Sequence, residues 1–345
     1  MAHLRTAALL LAGLVMAQGP VAAAAPAAST EIRAPDLQAA LDYARAQKTT
    51  GFLVIRDGRV LARANWPLPE DAAQFRATFA HGANAAGEPL EDVASLQKSV
   101  VAVLTAIAVD KGLLDVEKPV SAYLGAGWSK ASPAQEAQIR VIHVLTMSSG
   151  LDEGFGYAAP PGTVFLYNTP VYAVTQRVLE AAAHRPLAEI TRDWLTVPAG
   201  MADTGWRPRP AAFGDVGNPM GLVTSPGDLA KLGQLVLDRG RAADGTQVVS
   251  EKSLTDLFRR SAANPAYGRL WWLNGSAQTI RAPARRADGP LIPTAPADLV
   301  AALGALDRKL YVSPGRRLVV VRLGQAAPDK AFDATLWGLL SAALD

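Results

Sequence analysis

The sequence contains no cysteine among its 345 residues. No disulfide can therefore cross-link the chain, and no thiolate can act as a nucleophile or as a metal ligand. Stability must come from a buried core instead. A composition that is 50% hydrophobic and 19% charged is sufficient for such a core. We expect an ordinary soluble globular protein.

An excess of charge of one sign is also lacking. The 34 basic and 31 acidic residues leave a net charge of +3. This surplus is too small and too scattered to indicate a nucleic-acid partner. One short basic run, residues 281–286, lies among alanine and proline and is predicted to be a solvated loop.

Several catalytic motifs are missing. The chain has no G-x-S-x-G sequence, which argues against an α/β-hydrolase, and no Walker loop or dinucleotide fingerprint. His81, His143 and His184 lie far apart and in no H-E-x-x-H pattern, so no metal site is expected. His143 falls in an apolar run and is predicted to be a core histidine. We expect no metal and no organic cofactor.

The first 25 residues have the pattern of a secretory signal peptide. Arg5 precedes a short apolar stretch over residues 7–16, and residues 21–25 offer small-residue cleavage sites. The apolar stretch is short for a membrane span, although an uncleaved anchor is an alternative. We expect a mature protein without a membrane span, located in a bacterial periplasm or secreted.

Hairpin signals occur near both ends of the chain. Asp57-Gly58 tolerates the positive φ of a tight turn, and Ser313-Pro314-Gly315 marks a second turn. The flanking strands are predicted at residues 52–56, 59–63, 309–312 and 318–322. Because hairpins pair antiparallel strands, an antiparallel sheet built from both termini is expected.

Helical patterns fill the centre and flank the sheet. Apolar periodicity and capping signals predict helices at residues 36–47, 95–111, 139–147, 170–183, 225–238 and 329–344. The resulting expectation is an α+β fold in a single domain over residues 26–345, with a mainly helical insertion at about 113–260. The polar, proline-rich residues 274–296 are predicted to be a long loop near the site.

Ser95 and Lys98 form the central chemical feature. At a spacing of three on a helix, the two side chains share one face, with Cβ atoms about 5–6 Å apart. A serine hydroxyl becomes nucleophilic when a neighbour takes its proton. The helix N-terminus and burial both lower the pKa of a lysine, so Lys98 could accept that proton. A capping serine beside a surface lysine is the structural alternative, but the apolar run after Lys98 favours a buried helix with a site at its start.

Tyr167 is the second candidate. It lies in the loop-like segment 161–169, and a tyrosine near an ammonium group can lose its proton more easily and shuttle it to a leaving group. On this segment alone, a core or rim tyrosine is the alternative.

These residues resemble the motifs of the serine β-lactamase and penicillin-binding-protein superfamily, which has an S-x-x-K nucleophile motif. Further similar segments follow in the same order: L-T-M-S-S-G-L at 145–151, P-G-T at 161–163, G-L-V-T-S-P-G-D-L-A at 221–230 and Y-G-R-L-W-W at 267–272. The resemblance extends over roughly residues 51–340. The most similar branch contains class C β-lactamases and their esterase, D-aminopeptidase and aminohexanoate-oligomer hydrolase relatives. The resemblance implies a β-lactamase/transpeptidase-like fold.

The sequence departs from the family pattern at two places. Thr169 stands where the tyrosine motif usually has asparagine, and it can donate a single hydrogen bond. The K-T-G strand aligns with Ala302-Leu303-Gly304, where the basic residue is absent. By resemblance, Gly304 would admit the substrate backbone, and the N–H groups of Ser95 and Ala305 would form the oxyanion hole. Arg308 or Lys309 could replace the missing charge.

The resemblance implies a serine hydrolase that cleaves a small ester or amide, or a peptide, through an acyl-enzyme on Ser95. Lys98 and Tyr167 would share the acid–base work. Because the third motif lacks its basic residue, efficient β-lactam hydrolysis is not expected. The alternative from another class is a catalytically idle relative that binds a peptidoglycan fragment or a partner. Trp271 and Trp272 are further candidates for the cleft wall, with one of them facing the core by alternation.

Overall fold

The computed structural model of the protein describes residues 29–211 and 218–344. The predicted signal peptide lies outside the described residues. The described strands, in chain order, are β1 (Ser29–Ile32), β2 (Thr49–Arg56), β3 (Arg59–Asn65), β4 (Ala80–Ala83), β5 (Pro89–Asp92), β6 (Gly205–Pro208), β7 (Met220–Thr224), β8 (Trp272–Leu273), β9 (Gln278–Arg281), β10 (Arg285–Asp288), β11 (Val300–Gly304), β12 (Arg308–Ser313) and β13 (Leu318–Gly324).

The described helices lie mostly between β5 and β8. They are α1 (Gln38–Ala46), α2 (Ala73–Phe79), α3 (Gln97–Asp110), α4 (Ser121–Leu124), α5 (Pro133–Glu136), α6 (Val141–Leu145), α7 (Thr169–Ala183), α8 (Leu187–Thr191), α9 (Pro226–Leu237), α10 (Glu251–Leu257) and α11 (Phe332–Leu344). None of the helices in residues 29–211 and 218–344 combines the length and apolar character that a membrane span requires.

A seven-stranded sheet joins the two ends of the chain, as predicted. Its order is β1-β3-β2-β13-β12-β11-β8, and every neighbouring pair is antiparallel. The turn between β2 and β3 has positive φ at Asp57 (52°) and Gly58 (74°), which is the geometry that this dipeptide favours. The α+β fold class is confirmed.

Helices cover both faces of this sheet. Leu310 and Tyr311 are consecutive on β12, so their side chains point to opposite faces. A Cβ atom on Gly233 of α9 would lie 3.1 Å from Leu310, whereas the ring of Tyr311 packs against Trp337 of α11 at 5.5 Å. Thus α9 lies on one face and α11 on the other. The α9 helix begins as predicted, with the Ser225 side chain accepting the Asp228 N–H at 3.2 Å.

Two regions differ from the sequence-based expectation. Residues 274–296 contain the hairpin β9–β10 instead of a structureless loop, and residues 281–286 form its turn and adjoining strand ends. A second sheet, in the order β4-β5-β7-β6, was not predicted. Its strands are four or five residues long, which leaves little periodic pattern to recognise. The end of β5 leads directly into the turn that carries Ser95.

Candidate active site

Ser95 lies in a 3₁₀ turn, Ala94–Leu96, immediately before α3. Ala94 has φ of 50°, a left-handed conformation that is unfavourable for a residue with a Cβ. Its N–H donates to Asp92 Oδ1 at 2.8 Å, and the Leu96 N–H donates to the Val93 carbonyl at 3.1 Å. These bonds hold the backbone in the sharp turn that presents the Ser95 side chain.

Lys98 is buried in the first turn of α3 and points at Ser95. Its side-chain Nζ lies 2.9 Å from Ser95 Oγ. Burial, together with the positive charge of Arg209, lowers the pKa of Lys98 to about 7. The faces of Tyr167 and Tyr172 lie 4.9 and 4.8 Å from Nζ and attract its charged form, which opposes part of this shift. An amine with this pKa is partly neutral near pH 7 and can accept a proton.

Tyr167 completes the cluster with Ser95 and Lys98. Its hydroxyl forms a hydrogen bond with the Ser95 side chain. Its ring stacks on Trp272 at 5.8 Å, and its backbone N–H donates to Pro283 in the β9–β10 turn at 2.8 Å. Burial raises the pKa of Tyr167 to about 12, so the hydroxyl stays protonated at neutral pH. This direction is opposite to the expectation that the nearby ammonium group would make Tyr167 more acidic.

The tryptophan pair supports this cluster from behind. Trp271 and Trp272 are both buried, and Trp271 packs against Phe258 at 5.4 Å. Trp272 therefore positions Tyr167 through stacking, whereas Trp271 belongs to the core, in agreement with the expected alternation.

An ion pair that sequence reasoning missed lies beside Lys98. Arg209 donates to both carboxylate oxygens of Asp92, at 2.6 and 2.8 Å, and to Gln97 Oε1 at 3.0 Å. Asp92 in turn holds the Ala94 N–H, so the pair connects the nucleophile turn to a cation near Lys98. Asp92 and Arg209 are separated by 117 positions, and no local pattern in the sequence associates them.

Thr169 is the first residue of α7, two positions after Tyr167. The preceding Asn168 caps this helix: its side chain accepts the Val171 N–H at 3.0 Å and donates to the Leu151 carbonyl at 3.1 Å. Asn168 therefore cannot replace the amide that the family has at the next position. Within the described part of the chain, the Thr169 hydroxyl makes no hydrogen bond with the protein.

Gly304 brings the end of β11 against the nucleophile turn. A Cβ atom at this position would lie 2.3 Å from the Val93 carbonyl oxygen and 3.3 Å from the Leu96 nitrogen. Only glycine permits so close an approach. Ala305 follows in the β11–β12 turn, and its carbonyl accepts a hydrogen bond from Arg308 Nη1 at 2.9 Å.

Neither Arg308 nor Lys309 is free to replace the missing charge of the third motif. Arg308 is 0% exposed, and its guanidinium lies over the rings of Phe75 and Phe79, 5.1 and 4.4 Å from their centroids, with Nε 3.8 Å from Glu91. Lys309 pairs with Asp333 at 3.1 Å and with Asp307 at 3.3 Å. The expectation that one of them could hold a substrate carboxylate is not supported by this geometry.

Comparison with known proteins identifies the family of this chain. The family model described as Beta-lactamase matches residues 37–344. The chain belongs to the beta-lactamase family. A search of curated protein sequences finds no match for this member.

Solved structures of this beta-lactamase-family fold include several kinds of hydrolase. A protein from Bacillus anthracis named as a 6-aminohexanoate-dimer hydrolase is 17% identical with a TM-score of 0.66, and the match covers 88% of this chain and 81% of that chain. A family VIII carboxylesterase is 14% identical with a TM-score of 0.63, and the match covers 92% of this chain and 99% of that chain. A class C beta-lactamase is 15% identical with a TM-score of 0.63, and the match covers 91% of this chain and 96% of that chain. At these identities the likeness concerns the fold.

Proposed function

We propose that the protein is a serine hydrolase that cleaves a small ester or amide bond through an acyl-enzyme on Ser95. The observation that carries this proposal is the 2.9 Å contact between Ser95 Oγ and the amine of Lys98, whose pKa is lowered to about 7. A nucleophile in contact with a base that is partly neutral at working pH is the arrangement that covalent catalysis requires.

In the first half-reaction, the Ser95 hydroxyl gives its proton to the neutral Lys98 amine while Oγ bonds to the substrate carbonyl carbon. The resulting oxyanion lies against the N–H groups of Ser95 and Ala305. The carbonyl oxygen of Ala305 is held by Arg308, which fixes the turn that carries this N–H. Each such donor contributes about 3–4 kcal/mol to transition-state stabilisation in other enzymes.

The proton then moves to the leaving group. Tyr167 is protonated and bonded to Ser95, so it can donate to the leaving oxygen or nitrogen and regain a proton from the Lys98 ammonium. Water attacks the ester on Ser95 in the second half-reaction, and the Lys98–Tyr167 pair removes its proton and returns one to Oγ. The measured pKa values will belong to this pair instead of to either residue alone.

The substrate we propose has no carboxylate that needs an ionic anchor. Ala302 and Leu303 carry no charge, while Arg308 and Lys309 are held by other groups. Esters or uncharged amides therefore suit the site better than β-lactams do. The structural neighbours include a carboxylesterase and a 6-aminohexanoate-dimer hydrolase as well as class C beta-lactamases, so the preference rests on these side chains and not on the neighbours.

The experiment that tests the proposal compares the mature chain with its Ser95→Ala variant. A fluorophosphonate probe should label the wild type and not the variant. A panel of nitrophenyl esters, D-amino-acid amides and a chromogenic cephalosporin should show turnover of an ester or amide well above that of the cephalosporin. If neither protein is labelled and no substrate is turned over, the idle relative that binds a peptidoglycan fragment or a partner becomes the better explanation.

We also propose that residues 1–25 are a cleaved signal peptide and that residues 26–345 act as one catalytic domain in the periplasm or outside the cell. The observation behind this is the Arg5, apolar stretch and small-residue pattern of the N-terminus. Mass spectrometry of the protein recovered from cell fractions should find a mature N-terminus near residue 26. Intact protein retained in the cytoplasm would contradict the proposal.

A further inference from the structure

A cleft of about 290 Å³ lies between α6 and the segment that leads from α10 to β8. Four arginines line it: Arg140, Arg259, Arg260 and Arg269. Among its described lining residues, Glu117 is the one carboxylate. The members of the candidate catalytic cluster, Ser95, Lys98 and Tyr167, do not belong to this lining.

Two of the four guanidinium groups already have carboxylate partners. Arg140 pairs with Glu117, and Arg259 pairs with Asp256 at 2.7 Å. Arg260 donates to backbone carbonyls, including that of Pro265 at 2.6 Å, and no carboxylate in the described chain pairs with it. The cleft therefore retains an excess of positive charge.

Arg269 is the least satisfied of the four. Its side chain is half-buried, yet its guanidinium makes no hydrogen bond to any residue in the described ranges. Asp256 and Glu117 act on it through charge alone, and burial lowers the pKa of Arg269. A guanidinium has five N–H donors in a fixed planar geometry, so Arg269 can donate several hydrogen bonds to a ligand that enters the cleft.

The backbone holds Arg269 in this place. Its N–H donates to the Leu257 carbonyl at the end of α10, and the next N–H, of Leu270, donates to Leu145 at the end of α6, both at 2.8 Å. The adjacent Gly268 lies so close to Leu257 that a Cβ atom would be 2.3 Å from its carbonyl oxygen. These contacts fix the backbone of Arg269 beside the cleft that its side chain lines.

The floor of the cleft adds no further positive charge. His143 lies there, with its Nδ1 accepting the Arg140 N–H at 3.1 Å. Burial and the charge of Arg140 lower the pKa of His143 to about 4, so its ring is neutral near pH 7. The excess charge consequently resides on the arginines that line the cleft.

We propose that this cleft binds a multiply charged phosphate group, with Arg269 as the principal ligand and with Arg259 and Arg260 adding positive charge beside it. Planar guanidinium groups match phosphate oxygens with paired hydrogen bonds, and the phosphate would supply the acceptors that Arg269 lacks. The volume is at the lower limit of small-molecule sites, about 300 Å³, which suits a phosphate or diphosphate group rather than a large ligand.

The test uses isothermal titration calorimetry on the mature chain, with pyrophosphate as the probe and constant ionic strength. We expect saturable one-to-one binding with Kd of roughly 0.1–1 mM. Arg269→Gln should weaken it at least tenfold, and Arg259→Gln, at an exposed side chain, several-fold. Arg33→Gln is the matched control, because it removes the same charge from an exposed residue beside β1 and should leave binding unchanged.

Two further measurements locate the site and identify the source of the phosphate. Pyrophosphate in the cleft should shift the His143 ring resonances and raise its pKa, because a nearby anion favours the imidazolium form. Binding to phosphatidylglycerol vesicles that depends on Arg269 would assign the phosphate to a lipid headgroup, and binding of pyrophosphate alone would assign it to a soluble ligand. Binding of neither probe, equal affinity in wild type and Arg269→Gln, or unchanged His143 signals would overturn the proposal.

Discussion

At the start of α3, Ser95 Oγ and Lys98 Nζ lie 2.9 Å apart and Tyr167 bonds to the same serine. On the facing strand β11, the resemblance aligns the uncharged Ala302 and Leu303 with the basic residue and the threonine of the third motif, and Gly304 with its glycine. One side of the proposed cleft carries groups that can move protons, whereas Ala302 and Leu303 on the other side carry no charge that could anchor a charged substrate. The comparison predicts that proton transfer and substrate anchoring can be tested separately in this protein.

The largest effect should come from removing the proposed base, Lys98. Lys98→Ala is expected to lower kcat by about 10²- to 10⁴-fold, the usual contribution of general acid–base catalysis. The substitution removes a buried amine and leaves the surrounding helix intact, so the folded state should persist. Steady-state kinetics with an ester substrate, alongside circular dichroism, tests this. An unchanged kcat in a folded variant would refute the role of Lys98.

The next largest effect concerns the contact between Gly304 on β11 and the turn that carries Ser95. In Gly304→Ala the new methyl would lie 2.3 Å from the Val93 carbonyl, so β11 must shift away from the nucleophile turn. We expect a loss in kcat of about 10²- to 10³-fold, as when one oxyanion donor is removed. Gly338→Ala on α11 is the matched control, because nothing lies within 4 Å of its added methyl. Equal activity of both variants would show that the close approach at Gly304 does not contribute to the catalytic geometry.

A third variant tests whether the packing around β11 leaves room for a charged side chain at the position of Ala302. Ala302 is 0% exposed and pairs with Leu310 on the face that α9 covers. Ala302→Lys should lower the free energy of unfolding by at least about 2 kcal/mol, because it combines overpacking with a buried charge. Leu303→Lys, at a partly exposed position, should cost about 1 kcal/mol or less. Urea unfolding curves give the free energy of unfolding of both variants. Similar losses in the two variants would show that packing does not exclude a charged side chain from position 302.

The smallest expected effect is the pH dependence of the wild type. Lys98 accepts a proton only when neutral, and its pKa is about 7. Below that pH, kcat/KM for a neutral ester should fall about tenfold per pH unit, and above it the value should level off. Lys98→Ala should lose this acid limb. A limb centred near pH 10 instead would mean that Lys98 is not desolvated as described.

The sequence predicted those features that depend on nearby residues. The Asp57-Gly58 hairpin, the Ser225 cap and the Ser95–Lys98 pair are all set by spacings of a few positions. Features built from distant residues were missed. The Asp92–Arg209 pair forms only when β5 and the segment after β6 come together, and the hairpin β9–β10 lies in a polar, proline-rich stretch that resembles a loop.

Burial also determines properties of charged and titratable side chains that residue spacing in the sequence does not predict. The sequence placed Tyr167 near an ammonium group and so suggested a lowered pKa, but enclosure of the ring raises the pKa to about 12. Arg308 likewise follows the third motif closely in sequence, yet it lies enclosed by Phe75 and Phe79. Exposure of a charged side chain depends on which helix covers it, which single-sequence reasoning does not supply.

Peptide mapping of the acyl-enzyme tests the central claim most directly. The protein is mixed with a nitrophenyl ester, quenched in acid within the burst phase, digested and analysed by mass spectrometry. We expect the acyl group on the peptide that contains Ser95, on the serine oxygen itself, and no adduct in Ser95→Ala. An acyl group on another residue, or steady turnover with no trapped acyl-enzyme on Ser95, would contradict the account.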